Sequence, residues 1–180
     1  MKNSKLTIQD LTYSALFAAL LASVAYLVIP LPFSPVPITL QTLVVMLAGA
    51  TLSTKQAGLS MLIFLLIGFS GAPVFAGGNA GIGVLAGPTG GYLVAYPLGA
   101  ITVNLLVKKD SYYQTALAMI LGGVVIIHLL GVVWMSLVTD MSLAETFIAG
   151  SLPFMPGDII KAAVATPLSN KINNYLEAKK

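Results

Sequence analysis

The chain has no cysteine, no arginine and one histidine, and only 8% of its 180 residues are charged. Without cysteine there is no disulfide framework, no thiol nucleophile and no thiolate metal site. An intramembrane enzyme normally needs a nucleophile–base pair or a metal cluster, and one histidine with so few charges argues against either. No G-x-x-x-x-G-K-[ST] run occurs, so the chain does not hydrolyse ATP by that machinery, and uphill transport would draw its energy from elsewhere. Soluble domains carry about 25% charged residues; with 57% hydrophobic residues here, the medium must be lipid.

Charges are absent over residues 11–54, 56–107 and 111–139. Each gap holds one or two spans of roughly 20 residues. The net charge of +3 comes from lysines scattered over short loops and tails, which is no nucleic-acid footprint. The first apolar run outlasts a signal-peptide core and lacks a small-residue cleavage site before Pro30, so it is read as a retained helix.

The expected class is therefore all-α, a single integral membrane domain over residues 1–180. The first helix runs from about Asp10 to Ile29 and stops at the proline-rich "PLPFSPVP", because proline lacks the amide hydrogen and clashes with the preceding turn. The second spans about Ile38 to Thr54, and the third lies in "QAGLSMLIFLLIGF". The following "GAPVFAGGNAGIGVLAGPTGGY", residues 71–92, is too rich in Gly and Pro for a stable helix and too apolar for a solvated linker. It is expected to fold back against the protein. A fourth helix covers about Pro88 to Val107, a fifth Tyr113 to Val138, and a sixth Pro156 to Tyr175, with Asp140 and Glu145 in the loop before it. Six spans put both termini on one side. Lys2, Lys5, Lys55, Lys108, Lys109, Lys171, Lys179 and Lys180 fall on that side, so it is expected to be cytoplasmic.

Lys161 does not fit that scheme. It stands three residues after Asp158 in "PFMPGDIIKAAVATPL", on one face of the sixth helix and toward the outer side. A lipid-facing charge at the bilayer centre costs at least about 2.5 kcal/mol, so both side chains must point into the bundle or a cavity. Two readings stand: a substrate site, in which Asp158 accepts from ligand donors and Lys161 meets a carboxylate or carbonyl, or a structural salt bridge that pins the helix. Asn79 either reads a ligand's urea or amide group or caps its own loop. Gln41 and Tyr92 are ligand contacts or interhelical hydrogen bonds. "GIGVLAG" mimics a dinucleotide fingerprint at Gly81, Gly83 and Ala86, but the strand before it and the acid about 20 residues after it are missing. His128 is read as a packing or hydrogen-bonding histidine ahead of a proton relay. Trp134, Tyr112 and Tyr113 are read as interface anchors. Ala15, Ala18, Ala19 and Ala22 form a small-x-x-x-small stripe for close helix approach, within the chain or to a partner.

The segments "GAPVFAGGNAGIGVLAGPTGGYLVAYPLGA" and "PGDIIKAAVA" resemble the signature of the BioY family, the biotin-specific substrate-capture (S) components of energy-coupling factor (ECF) transporters. The likeness extends over nearly the whole chain. It implies biotin capture at the outer face of the cytoplasmic membrane, with no cofactor and no metal. The implied partners are a membrane coupling subunit, docked on Ala15, Ala18, Ala19 and Ala22, and two cytoplasmic ATPases. Biotin's chemistry suits the polar set: Asp158 for the ureido donors, Lys161 or Asn79 for the ureido oxygen or valerate, with apolar and aromatic neighbours such as Tyr92 or the "APVF" segment around the thiophane. S components for thiamin or riboflavin, which share the fold, are the alternative. Those ligands would favour more aromatic side chains than lie near this loop.

Overall fold

The computed structural model describes residues 6–108 and 111–178. Lys2, Lys5, Lys109, Lys179 and Lys180 lie outside the described residues.

Helix α1 (Ile8–Val24) opens with a capping box between Thr7 and Asp10 and ends five residues earlier than the sequence pattern predicts. The prolines lie beyond its end, after the turn at Ala25–Tyr26. They shape an antiparallel hairpin, β1 (Val28–Leu31) and β2 (Ser34–Thr39), with Val28 opposite Thr39 and Leu31 opposite Ser34. Its register slips between Ile29 and Leu31, at Pro30, where the chain has no N–H to donate.

Helix α2 (Gln41–Thr51) is only 11 residues long, shorter than expected, and almost wholly buried. Ser53 accounts for the break by capping α3 (Thr54–Phe69) in a box with Gln56. A helix ending inside an apolar body must still satisfy its last carbonyls. Asn104 Nδ2 donates to Gly49 O at 2.9 Å and Leu52 O at 2.7 Å, and Asn173 Nδ2 donates to Ala50 O at 3.0 Å.

The Gly-rich connection folds back as predicted, but it also contains a short helix, α4 (Ile82–Ala86). Its anchor is Phe75, fully buried and edge-on to Phe64 at 5.5 Å. Gly68 makes room for that ring, since a Cβ there would lie 2.2 Å from it. Gly77 N donates to Ala25 O, Gly81 N to Gly68 O and Tyr26 OH to Pro73 O, so the loop is tied down along its length.

Helix α5 (Gly90–Leu106) follows; after it α6 (Tyr112–Met119), a π-helical stretch at Ile120–Ile126 and α7 (Ile127–Val138) form one continuous 27-residue helix, whose most apolar 18 residues have a mean hydropathy of 2.6. Gly122 and Gly99 let the π-helical stretch touch α5 backbone to backbone. Glu145 lies not in a loop but in α8 (Leu143–Gly150), where it completes a capping box with Ser142. Helix α9 (Met155–Glu177) leaves α8 at a 52° bend. Among the described residues Tyr112–Val138 is long and apolar enough to cross a bilayer, and the bent α8–α9 pair passes if counted as one span. Helices α1, α3 and α5, at 16 or 17 residues, reach about 25 Å at 1.5 Å per residue.

Long-range hydrogen bonds fix the ends of the bundle. Asp10 with Gln56, Asn104 with Leu52 and Asn173 with Ala50 gather at one end, which also holds Lys55, Lys108 and Lys171. The hairpin, the Gly-rich loop and the first turns of α2, α5 and α9 gather at the other.

Candidate functional site

A cavity of about 450 Å³ opens at that second end, within the usual range for small-molecule sites. The hairpin supplies one wall, Ala76 to Thr89 another, and α2, α5, α7 and α9 close it. Asp158, Lys161, Asn79, Gln41 and Tyr92, all singled out from sequence, line it together. Three helices of 11, 17 and 23 residues start at its wall, so the positive ends of their dipoles bias the space toward negative charge.

The charged pair is the hub of a network. Asp158 is 3% exposed; its Oδ1 accepts from Lys161 Nζ at 2.6 Å and from Thr42 Oγ1 at 2.7 Å, and its Oδ2 lies 2.8 Å from His128 Nε2. Lys161 Nζ also donates to Thr39 O at 2.5 Å and approaches Thr42 Oγ1 at 3.1 Å. The lysine's three N–H bonds thus have protein acceptors, and a ligand would meet it through charge or by displacing one of them. An ionised carboxylate offers about four lone-pair sites; with three occupied, one on Oδ2 is left for an external donor.

The other candidates differ in what they have free. Gln41 is 1% exposed; its Oε1 accepts from Tyr96 OH at 3.3 Å, and its Nε2 has no partner. A buried amide left unpaired costs about 1–3 kcal/mol, so Nε2 is a ready donor for a ligand oxygen. Asn79 is exposed and spends its Nδ2 on Ala76 O at 2.7 Å, capping its own loop and leaving its oxygen as the free end. Tyr92 OH donates to Gly150 O at 2.7 Å, and its ring packs edge-on to His128 at 5.9 Å. Gly131 holds the slot for that ring, because a Cβ there would stand 2.3 Å from two ring carbons. Gly131→Ala is expected to push Tyr92 toward the cavity and cost about 1–3 kcal/mol, read as a lowered unfolding temperature. An unchanged midpoint would mean that the ring shifts freely.

The sequence reading missed Thr42, Tyr96 and the Thr39 carbonyl. For Thr39 and Thr42 the signal was the polar run in "ITLQT", residues 38–42, at the start of an apolar helix; Tyr96, on another helix, lies outside it. Trp134, read as an interface anchor, instead donates from Nε1 to Gly87 O at 3.0 Å and pegs the cavity wall. Tyr112 and Tyr113 are exposed at the start of α6. The alanine stripe divides: Ala18 is buried in a cluster with Leu21, Ala57, Met61 and Phe64, Ala22 packs against that cluster, and Ala15 and Ala19 are exposed.

The sequence model of the BioY family matches residues 1–178. A probable biotin transporter BioY from Bacillus subtilis (strain 168) is 41% identical over 93% of this chain and 91% of its own length. The biotin transporter BioY of Rhizobium etli is 37% identical, covering 91% of this chain and 92% of that protein. Among solved structures, the S-component for biotin from an ECF-type ABC transporter superposes with a TM-score of 0.87 at 31% identity, over 94% of this chain and 95% of that one.

Proposed function

Because the chain belongs to the BioY family, we propose that it captures biotin for uptake as the S component of an ECF-type transporter, and that the cavity at the hairpin end is the binding site. It is a transport protein, not an enzyme. The observation that carries the site is the convergence of Asp158, Lys161, Asn79, Gln41 and Tyr92 on one cavity, with an open acceptor position on Asp158 and an unpaired donor on Gln41. Biotin's ureido ring has two N–H donors and one carbonyl acceptor, and the pair Asp158 Oδ2 and Gln41 Nε2 complements such a group. Its valerate carboxylate is favoured by the Lys161 charge and the three helix starts, and Asn79 is a further polar contact at the loop. Tyr92 and the apolar hairpin residues enclose the thiophane.

The chain is a single membrane domain of six spans, including the short α2. The lysine-bearing end faces the cytoplasm and the cavity faces outward. The complete transporter adds a membrane coupling subunit and two cytoplasmic ATPases. The coupling subunit docks on α1, where Ala15 and Ala19 offer the exposed small-residue pair while Ala18 and Ala22 hold α1 to its own bundle.

Titration of the detergent-purified protein with biotin tests the reading. The only tryptophan, Trp134, is hydrogen-bonded to cavity-lining Gly87, so saturable quenching or enhancement of its fluorescence is expected. Absence of saturable binding, confirmed by calorimetry, would overturn the biotin assignment and turn the search to thiamin and riboflavin.

A further inference from the structure

His128 is the chain's one histidine, 5% exposed, on a helix with no other ionisable side chain between Tyr113 and Asp140. Its Nε2 lies 2.8 Å from Asp158 Oδ2, whereas its Nδ1 is buried with no partner. A carboxylate oxygen can only accept, so Nε2 carries the hydrogen of this bond. The bond closes one of the two places on Oδ2 and stops the carboxylate from rotating about its Cβ–Cγ bond. Oδ1 is already held by Thr42 and Lys161.

The helix places this imidazole by an unusual route. The π-helical stretch Ile120–Ile126 ends two residues before it. A π turn takes in an extra residue, so it resets which way every later side chain faces, and such turns recur at functional sites. Upstream, Gly122 is locked against the α5 backbone and Gly123 against Met46 of α2. The facing of His128 is therefore set relative to α2 and α5, the two helices that these glycines pack against.

We propose that His128 is a positioning residue for the ligand site: aimed by the π-helical stretch, its Nε2–H holds the Asp158 carboxylate in the orientation that leaves one Oδ2 lone pair for the ligand's N–H donor. This rests on the cavity being the biotin site. It differs from a packing role, in which only the shape of the ring would matter.

The test uses the full chain in lipid nanodiscs. Gln places an amide N–H near the Nε2 position, whereas Leu fills similar space with no donor. His128→Leu is expected to weaken biotin binding at least roughly tenfold, with His128→Gln within about threefold of the parent. Equal affinity in the Leu variant and the parent would overturn the positioning role while leaving the biotin assignment intact. No binding by the parent would remove both. Should the Leu variant fail to fold, ¹⁵N-histidine NMR on the parent decides, because the chain offers a single imidazole signal. The expected spectrum is the Nε2–H tautomer, with a resonance that moves on adding biotin; an Nδ1–H tautomer, or a resonance indifferent to biotin, would overturn the proposal.

Discussion

Asp158→Asn is expected to raise the biotin dissociation constant by two decades or more. The substituted amide keeps the shape of the carboxylate but turns one acceptor into a donor. Three protein donors point at this side chain, from Lys161, Thr42 and His128, so one of them must face an N–H. The change also strips the Lys161 ammonium, held 2.6 Å away, of its counter-charge. Breaking a buried pair from one side costs about 3–5 kcal/mol, of which the stranded charge is a large part. The ligand's own loss is separate: a hydrogen bond to a charged acceptor contributes about 1.5–3 kcal/mol, which at about 1.4 kcal/mol per decade is up to about 100-fold in affinity, and an opposed N–H adds to it. Lys161→Met on the Asp158→Asn background separates the causes. The double variant removes the stranded charge and is expected to regain thermal stability without regaining biotin affinity. If stability and affinity return together, the pair is a structural bridge and the ligand binds elsewhere.

Gly90→Ala is expected to damage the site as severely without touching a polar atom. Gly90 begins α5, and a Cβ there would lie 1.8 Å from Leu85 O and 2.5 Å from Leu85 C, both backbone atoms of α4. Side chains yield to such a clash by changing rotamer, but a backbone must move as a unit. Helix α4 would lift off α5, taking with it Val84, which lines the cavity, and disturbing the Gly87 carbonyl that Trp134 binds. Overpacking costs about 1–3 kcal/mol in ordinary cores, and a backbone collision belongs at the upper end or beyond. Thermal unfolding should show a midpoint several degrees lower, and biotin titration a weakened affinity with an altered Trp134 response. Parent-like values in both assays would mean that the α4–α5 contact is loose and contributes little to the wall.

The two substitutions sample different kinds of information. Asp158 stood out because a charge in an apolar run is costly wherever it sits, and its chemistry is legible from the residue alone. Nothing in the surroundings of Gly90 in sequence distinguishes it from Gly83, where an added Cβ would meet no atom within 4 Å. Both occupy one Gly-rich stretch, and only the path of the backbone separates the indispensable glycine from the permissive one.

The sequence by itself determined the lipid environment, the helical class, the order of the apolar segments, the Gly-rich loop folded against the bundle and the five polar residues that meet in the cavity. These follow from composition and from local costs: a charge in lipid, a proline in a helix, a glycine where no side chain is needed. Only the tertiary structure decided that the proline-rich stretch becomes a hairpin wall, that α2 stops after 11 residues under the amides of Asn104 and Asn173, and that Asp158 is shared by Lys161, Thr42 and His128. The physical reason is distance along the chain. Thr42 lies 116 residues from Asp158 and His128 lies 30, so their bonds exist only after the helices pack, and no local pattern encodes which donor reaches which oxygen.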